Sequence, residues 1–186
     1  MNLKIISGGQ TGVDRAALDA SMKHGVDCGG WCPAGRLDEF GRIPDRYPVK
    51  ELKHGNKEGR SPDRPGGLET AAPWEELDLF VQRTLQNVKD SNGTIIIYFD
   101  KLRGGSAQTV QFCTEQKRPH ILIDAAKMSA EGAANLILDL VREHKIDILN
   151  VAGPRQSEWP GYDYAFRVMD MFLRTLSRWS PRRPPN

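Results

Sequence analysis

Three stretches of this 186-residue chain combine glycines with hydroxyl, amide and guanidinium side chains. They are Ser7-Gly8-Gly9-Gln10-Thr11-Gly12-Val13-Asp14-Arg15, Arg103-Gly104-Gly105-Ser106-Ala107-Gln108-Thr109, and Val151-Ala152-Gly153-Pro154-Arg155-Gln156-Ser157-Glu158. A glycine lets backbone N–H groups approach an anion with no Cβ in the way, and a helix starting just beyond it adds unpaired N–H groups and a partial positive charge. Thr11, Ser106, Thr109 and Ser157 add hydroxyl donors, and the guanidinium forks of Arg15 and Arg155 suit a phosphate. The chemistry expected is recognition of a phosphate-bearing small molecule. The candidate binding residues are Gly8, Gly9, Gln10, Thr11, Gly12, Asp14, Arg15, Gly104, Gly105, Ser106, Thr109, Gly153, Pro154, Arg155 and Glu158.

Two carboxylates in these loops carry two readings each. Thr11 and Asp14 have the spacing of a capping box, so Asp14 can serve the start of a helix. Its carboxylate can equally accept a ribose hydroxyl or a pterin N–H. Glu158 invites the same pair, on a loop stiffened by Pro154 and Pro160. The first loop reads G-G-x-x-G, not G-x-G-x-x-G, and no G-x-x-x-x-G-K-[ST] is present, so neither a dinucleotide fingerprint nor a P-loop is expected. Cys28-x-x-x-Cys32 lacks the spacing of a zinc knuckle, and Cys113 reads as a buried small hydrophobe; no metal site is expected. The four histidines are scattered and none pairs with Ser or Cys as a triad would, so no catalytic residue is assigned. Trp31 and Trp159 flank the loops, where they either pack or stack on a ring.

These loops need strands before them and helices after them, and the hydrophobic pattern supplies both. Residues 3–7 and Val26–Cys28 are short β-prone runs, and Val13, Ala16, Ala17 and Ala20 follow helical spacing up to Gly25. Pro73 is suited to the first position of a helix with the stripe Leu77, Phe80, Val81, Leu85 and Val88. Thr94–Phe99 reads as a strand covered on both faces, His120–Asp124 as another buried strand and Ile146–Val151 as the next strand. Helices are expected at about 106–117, around Ala133 to Val141, and through Ala165 to Leu176. Strands alternating with helices imply right-handed crossovers and a mostly parallel sheet between helical layers, an α/β Rossmann-like three-layer sandwich in one domain over 1–179. In such a sheet the three loops share the carboxyl edge, where ligands bind. Residues 34–72 show no sustained period and are expected to be a long loop acting as a lid, with Arg36 reaching back to a phosphate. Residues 180–186 form a basic tail.

Composition bounds the rest. A net charge of +2 and a hydrophobic fraction of 39% suit an ordinary globular domain. No apolar run approaches the roughly 18 residues of a membrane span, and no basic stripe points to nucleic acid. The opening residues lack the apolar stretch of a secretory signal, and three sparse cysteines suit a reducing compartment, so the expectation is a cytoplasmic protein.

Several motifs together resemble the molybdenum-carrier family: Ile5 to Asp19, Gly29-Gly30-Trp31-Cys32-Pro33-Ala34-Gly35-Arg36, Gly41-Arg42-Ile43-Pro44-Asp45-Arg46-Tyr47-Pro48, and Asn150 to Glu158. The resemblance covers nearly the whole chain. It implies a circularly permuted branch of the Rossmann-like superfamily that also contains cytokinin-activating phosphoribohydrolases and a DNA-processing protein. It also implies a nucleotide- or molybdopterin-like ligand (molybdenum cofactor) at the Gly-rich loops. Where that family tends to carry a threonine and, a helix turn on, a glutamate, this chain has Ser106 and Gln111, and an amide cannot act as a general base. The leading expectation is a carrier of a phosphate-bearing heterocycle. The alternative is an enzyme cleaving a nucleotide N-glycosidic bond with Glu158 or Asp14 as its carboxylate. The oligomeric state is open, a homo-oligomer included.

Overall fold

The computed structural model describes residues 3–52 and 78–179. Its centre is a five-stranded sheet of β1 (Lys4–Ile6), β2 (Cys28–Gly29), β7 (Gly93–Tyr98), β8 (His120–Asp124) and β9 (Ile148–Ala152), in the order β2-β1-β9-β7-β8. Every pairing in it is parallel. The strands are short and apolar because helices cover both faces: Thr94, Ile95, Ile96 and Ile97 of β7 are all buried.

On one face lie α1 (Val13–Lys23), α4 (Ala130–Glu143) and α5 (Tyr162–Trp179), with α5 packed against both of the others. Ala16, Ala17 and Ala20 of α1 meet the sheet and α5 in a large cluster with Ile137, Val141, Val168, Met169 and Phe172. Small residues on α1 let that helix approach closely, and each large aliphatic side chain buried there contributes about 1.5–3 kcal/mol. On the other face α2 (Leu79–Lys89) and α3 (Gly104–Glu115) pack together around Val88, Phe112 and Cys113. Two caps sharpen the helix starts. Asp78 accepts the Phe80 N–H at the head of α2, and Ser129 accepts the Gly132 N–H at the head of α4. The helix expected from Pro73 therefore begins, among the described residues, at Leu79; Pro73 itself and Leu77 lie outside them.

The first part of the 34–72 stretch is built rather than aperiodic. β3 (Trp31–Cys32) pairs in parallel with β6 (Lys50–Glu51), a single 3-10 turn spans Ala34–Arg36, and β4 (Leu37–Asp38) pairs with β5 (Gly41–Arg42) as a hairpin. These pieces are too short to show a period, and they are held by a second small core of Leu18, Cys32, Ile43, Tyr47 and Val49. Residues 53–72 and the tail 180–186 lie outside the described residues. Among those described, no helix is long and apolar enough to cross a membrane.

Candidate ligand-binding site

β1 and β9 are neighbours, so the loops that follow them meet at the carboxyl edge. The contact is intimate at Gly12, which has φ +76°: a Cβ there would lie 2.8 Å from the Pro154 carbonyl oxygen and 3.0 Å from the Gln156 N. Gly153 is as tightly enclosed, against the Ile97 carbonyl and Val13. Thr11 Oγ1 accepts the Gln156 N–H at 3.1 Å, tying the two loops together. Gly12 provides no side-chain cap at the start of α1, whose Arg15 N–H donates to the Gln10 carbonyl at 3.2 Å.

The third loop is more open at its glycines. Gly104 and Gly105 open α3 one strand further along the same edge, with nothing within 4 Å of a Cβ at either. Ser106 and Thr109 are buried, and the Thr109 hydroxyl donates to the Gly105 carbonyl at 2.8 Å. Thus the loops of β1 and β9 meet backbone to backbone, while the loop of β7 meets that of β9 through Phe99 on Trp159 and leaves its two glycines in open space.

Asp14 is not a capping-box residue, because the N-cap position falls on Gly12. Its Oδ2 accepts the Gln10 N–H and lies 3.1 Å from the Arg83 Nη1, an arginine on α2. Burial pushes the Asp14 carboxyl up, while Arg83 and the Gln10 N–H pull it down. Arg83 occupies the space above Gly8: a Cβ on Gly8 would lie 1.7 Å from its Nη1. The side-chain amide of the adjoining Gln10 accepts from the N–H groups of Thr11 and Glu39. Gly9 is covered by Ile43 and Val49.

Arg36 requires a correction. Its guanidinium turns inward on the 43–49 loop and donates to the carbonyls of Ile43, Pro44, Tyr47 and Val49. Four of its five N–H groups are spent there, so Arg36 staples a loop and does not reach back toward the glycines. Arg155 pairs with Glu158 at 3.0 Å, both half-exposed. Trp159 stacks on Phe99 and Trp31 donates to Asp90, so both rings already have protein partners.

Beside the joined loops lies a cleft of about 400 Å³, lined by Thr11, Gly12, Arg15 and Gln156 on one side and by Phe40, Arg46 and Tyr162 on others. Behind this lining two polar atoms, Arg15 Nε and Gln156 Oε1, are closed off from solvent with no hydrogen-bond partner. At the floor Asp19 accepts from the hydroxyls of Tyr47, at 3.1 Å, and Tyr162, at 2.7 Å. Burial and the Asp19 charge push the Tyr162 phenol far up, so it stays protonated as a donor. Arg15 also pairs with Asp38 on the hairpin. Among the described residues no group of three or more His, Cys, Asp and Glu is placed to hold a metal ion.

Arg83, Asp19, Phe40, Arg46, Tyr47, Tyr162 and the side chain of Gln156 were not among the residues expected from the sequence. Arg83 had one available signal, since it shares a helix face with buried Asn87 four residues on. The tyrosines and Arg46 fall in or near runs of loop residues, where no period marks an inward side chain.

A parallel α/β sheet with two glycine loops joined at its carboxyl edge and a polar cleft beside them defines a Rossmann-like ligand-binding fold. Within that class, residues 5–63 and 74–173 match the circularly permutated YpsA SLOG family, and the chain belongs to it. It is also similar to the crystal structure of a protein from Syntrophus aciditrophicus SB named "putative molybdenum carrier protein". The two are 40% identical over 92% of this chain and 96% of that one, with a TM-score of 0.76. No curated protein matches.

Proposed function

We propose that this protein is a cytoplasmic carrier that binds a phosphate-bearing heterocycle, of the molybdopterin or nucleotide kind, in the cleft beside Thr11, Gly12, Arg15 and Gln156. The observation that carries this reading is the lining of the cleft, where the guanidinium side chain of Arg15, suited to an oxyanion, and the amide side chain of Gln156, suited to the polar edge of a ring, stand beside the joined glycine loops. The start of α1, which no side chain caps, adds positive potential on the same side, and exposed Phe40 offers an apolar face to a ring. The name of the Syntrophus protein is in keeping with a carrier role.

The contacts favour carriage over bond cleavage. Asp14 is held by Arg83 and Glu158 by Arg155, and the amide of Gln111 donates to Glu115, so none stands ready as a general base. Unbiased mass spectrometry of small molecules released from the purified protein tests the reading. A phosphorylated ring compound at near-stoichiometric amount is the expected result. Release of only unphosphorylated compounds, from protein that also binds no nucleotide or molybdopterin when these are added, would overturn it.

A further inference from the structure

The hairpin β4–β5 places two consecutive carboxylates on donors that the proposed function reserves for a ligand. Glu39 Oε1 accepts the Thr11 hydroxyl and, at 3.2 Å, the Ser157 N–H, while Glu39 Oε2 accepts the Ser157 hydroxyl. Burial acts to raise the Glu39 carboxyl, but the hydrogen bonds from Ser157 and Thr11 and the charge of Arg155 outweigh it and hold it below its ordinary range. Asp38, almost wholly buried, takes Arg15. A carboxylate accepting two hydroxyls and a backbone N–H, with an arginine beside it, sits in the environment that a phosphate oxygen seeks.

Resting on the carrier reading, we infer that Glu39 is an in-chain stand-in for the ligand's phosphate: the hairpin closes the Thr11–Ser157 donor set with its own carboxylate, and a phosphate-class oxyanion enters by displacing it. The arrangement has a clear hinge logic. The hairpin tip is held to the rest of the fold mainly through these polar contacts and the Glu39 N–H on Gln10 Oε1, since Leu37 and Phe40 both remain exposed; internal to it are the pairing of Leu37 with Arg42 and Asp38 with Gly41 and the Phe40 N–H on Asp38 Oδ1. Displacement of Glu39 exchanges one set of charged hydrogen bonds for another and uncovers no apolar core. A ligand must outcompete a tethered carboxylate at high effective concentration, so the site discriminates against weak anions and favours a multiply charged phosphate.

Calorimetry with inorganic phosphate and with AMP, on the full chain, tests this. Glu39→Ala removes the competitor without touching the Arg15–Asp38 pair, and its affinity for phosphate is expected to rise about tenfold or more. Glu39→Gln, which keeps the side-chain volume, should move the same way by less. Adding Ser157→Ala to Glu39→Ala should abolish the gain, because the same donors serve both occupants. In the wild type, hydrogen exchange at residues 37–42 should speed up on phosphate binding. Equal or weaker binding by Glu39→Ala, or slower exchange in the hairpin, would overturn the latch and leave the carrier reading standing. If neither wild type nor variants bind phosphate or AMP, the latch falls, while the carrier reading is decided separately by titration with molybdopterin and the other nucleotides.

Discussion

Arg83 on α2 donates to Asp14 Oδ2 across 3.1 Å, and its guanidinium occupies the space in which a Cβ on Gly8 would fall. One ion pair thus joins the helix of the far layer to the first glycine loop. Removing Arg83 alone leaves a buried carboxylate without its counter-charge, which costs on the order of 3 kcal/mol. Arg83→Met should therefore destabilise the protein strongly in urea unfolding. The double variant Arg83→Met/Asp14→Asn should recover part of that loss. Additive losses in the double variant would show that the two residues act independently.

The glycines are not equivalent. Gly12→Ala forces a Cβ to within 2.8 Å of the Pro154 carbonyl at a backbone with φ +76°, so it should cost several kcal/mol, about 2 or more, or block folding. Gly105→Ala meets open space in the first turn of α3 and should be neutral or add about 0.5–1 kcal/mol of stability. Thermal melts of the two variants decide this. Similar melting temperatures would contradict the junction described between the β1 and β9 loops.

Arg36→Ala withdraws the donors from four loop carbonyls. A stability loss of about 2 kcal/mol is expected, with accelerated hydrogen exchange at 43–49. If instead Arg36→Ala abolished ligand binding with no change in stability or exchange, the stapling role would be wrong.

Acid behaviour has a named source. Asp170 accepts from Lys23, and against the opposing effect of burial this bond, with those of His24 and Arg174, lowers its carboxyl to about 2. A carboxyl lower in the folded than in the unfolded chain stabilises the fold above its unfolded value, near 4, and that stabilisation is lost as pH falls toward 2. Urea unfolding should show wild type losing more stability between pH 5 and pH 2 than Asp170→Asn does. Parallel curves would remove Asp170 as the cause.

What was legible in the sequence follows from the range of the forces involved. β7, β8 and β9 and the helices α1, α4 and α5 are visible because burial imposes a period on consecutive residues, as in Thr94–Ile97 or Ala16, Ala17 and Ala20. The glycine loops are visible because backbone approach restricts residue type locally. Arg83 on Asp14, Glu39 on Ser157 and Arg36 on Val49 are not, since each joins residues between 13 and 118 positions apart through side-chain geometry that leaves no local pattern. The hairpin at 37–42 escaped for a related reason, since two-residue strands are shorter than any period that could announce them.

The central claim is that a phosphate-bearing heterocycle sits in the cleft beside Gly12 and against the side chain of Gln156. Calorimetric titration of wild type and Gln156→Leu with molybdopterin and a panel of nucleoside monophosphates tests it most directly. We expect at least one of these to bind the wild type and to lose about tenfold or more in affinity for Gln156→Leu, because a polar side chain lining the cleft is replaced by an apolar one. Absence of binding by every compound, or equal affinities for wild type and Gln156→Leu, would contradict it.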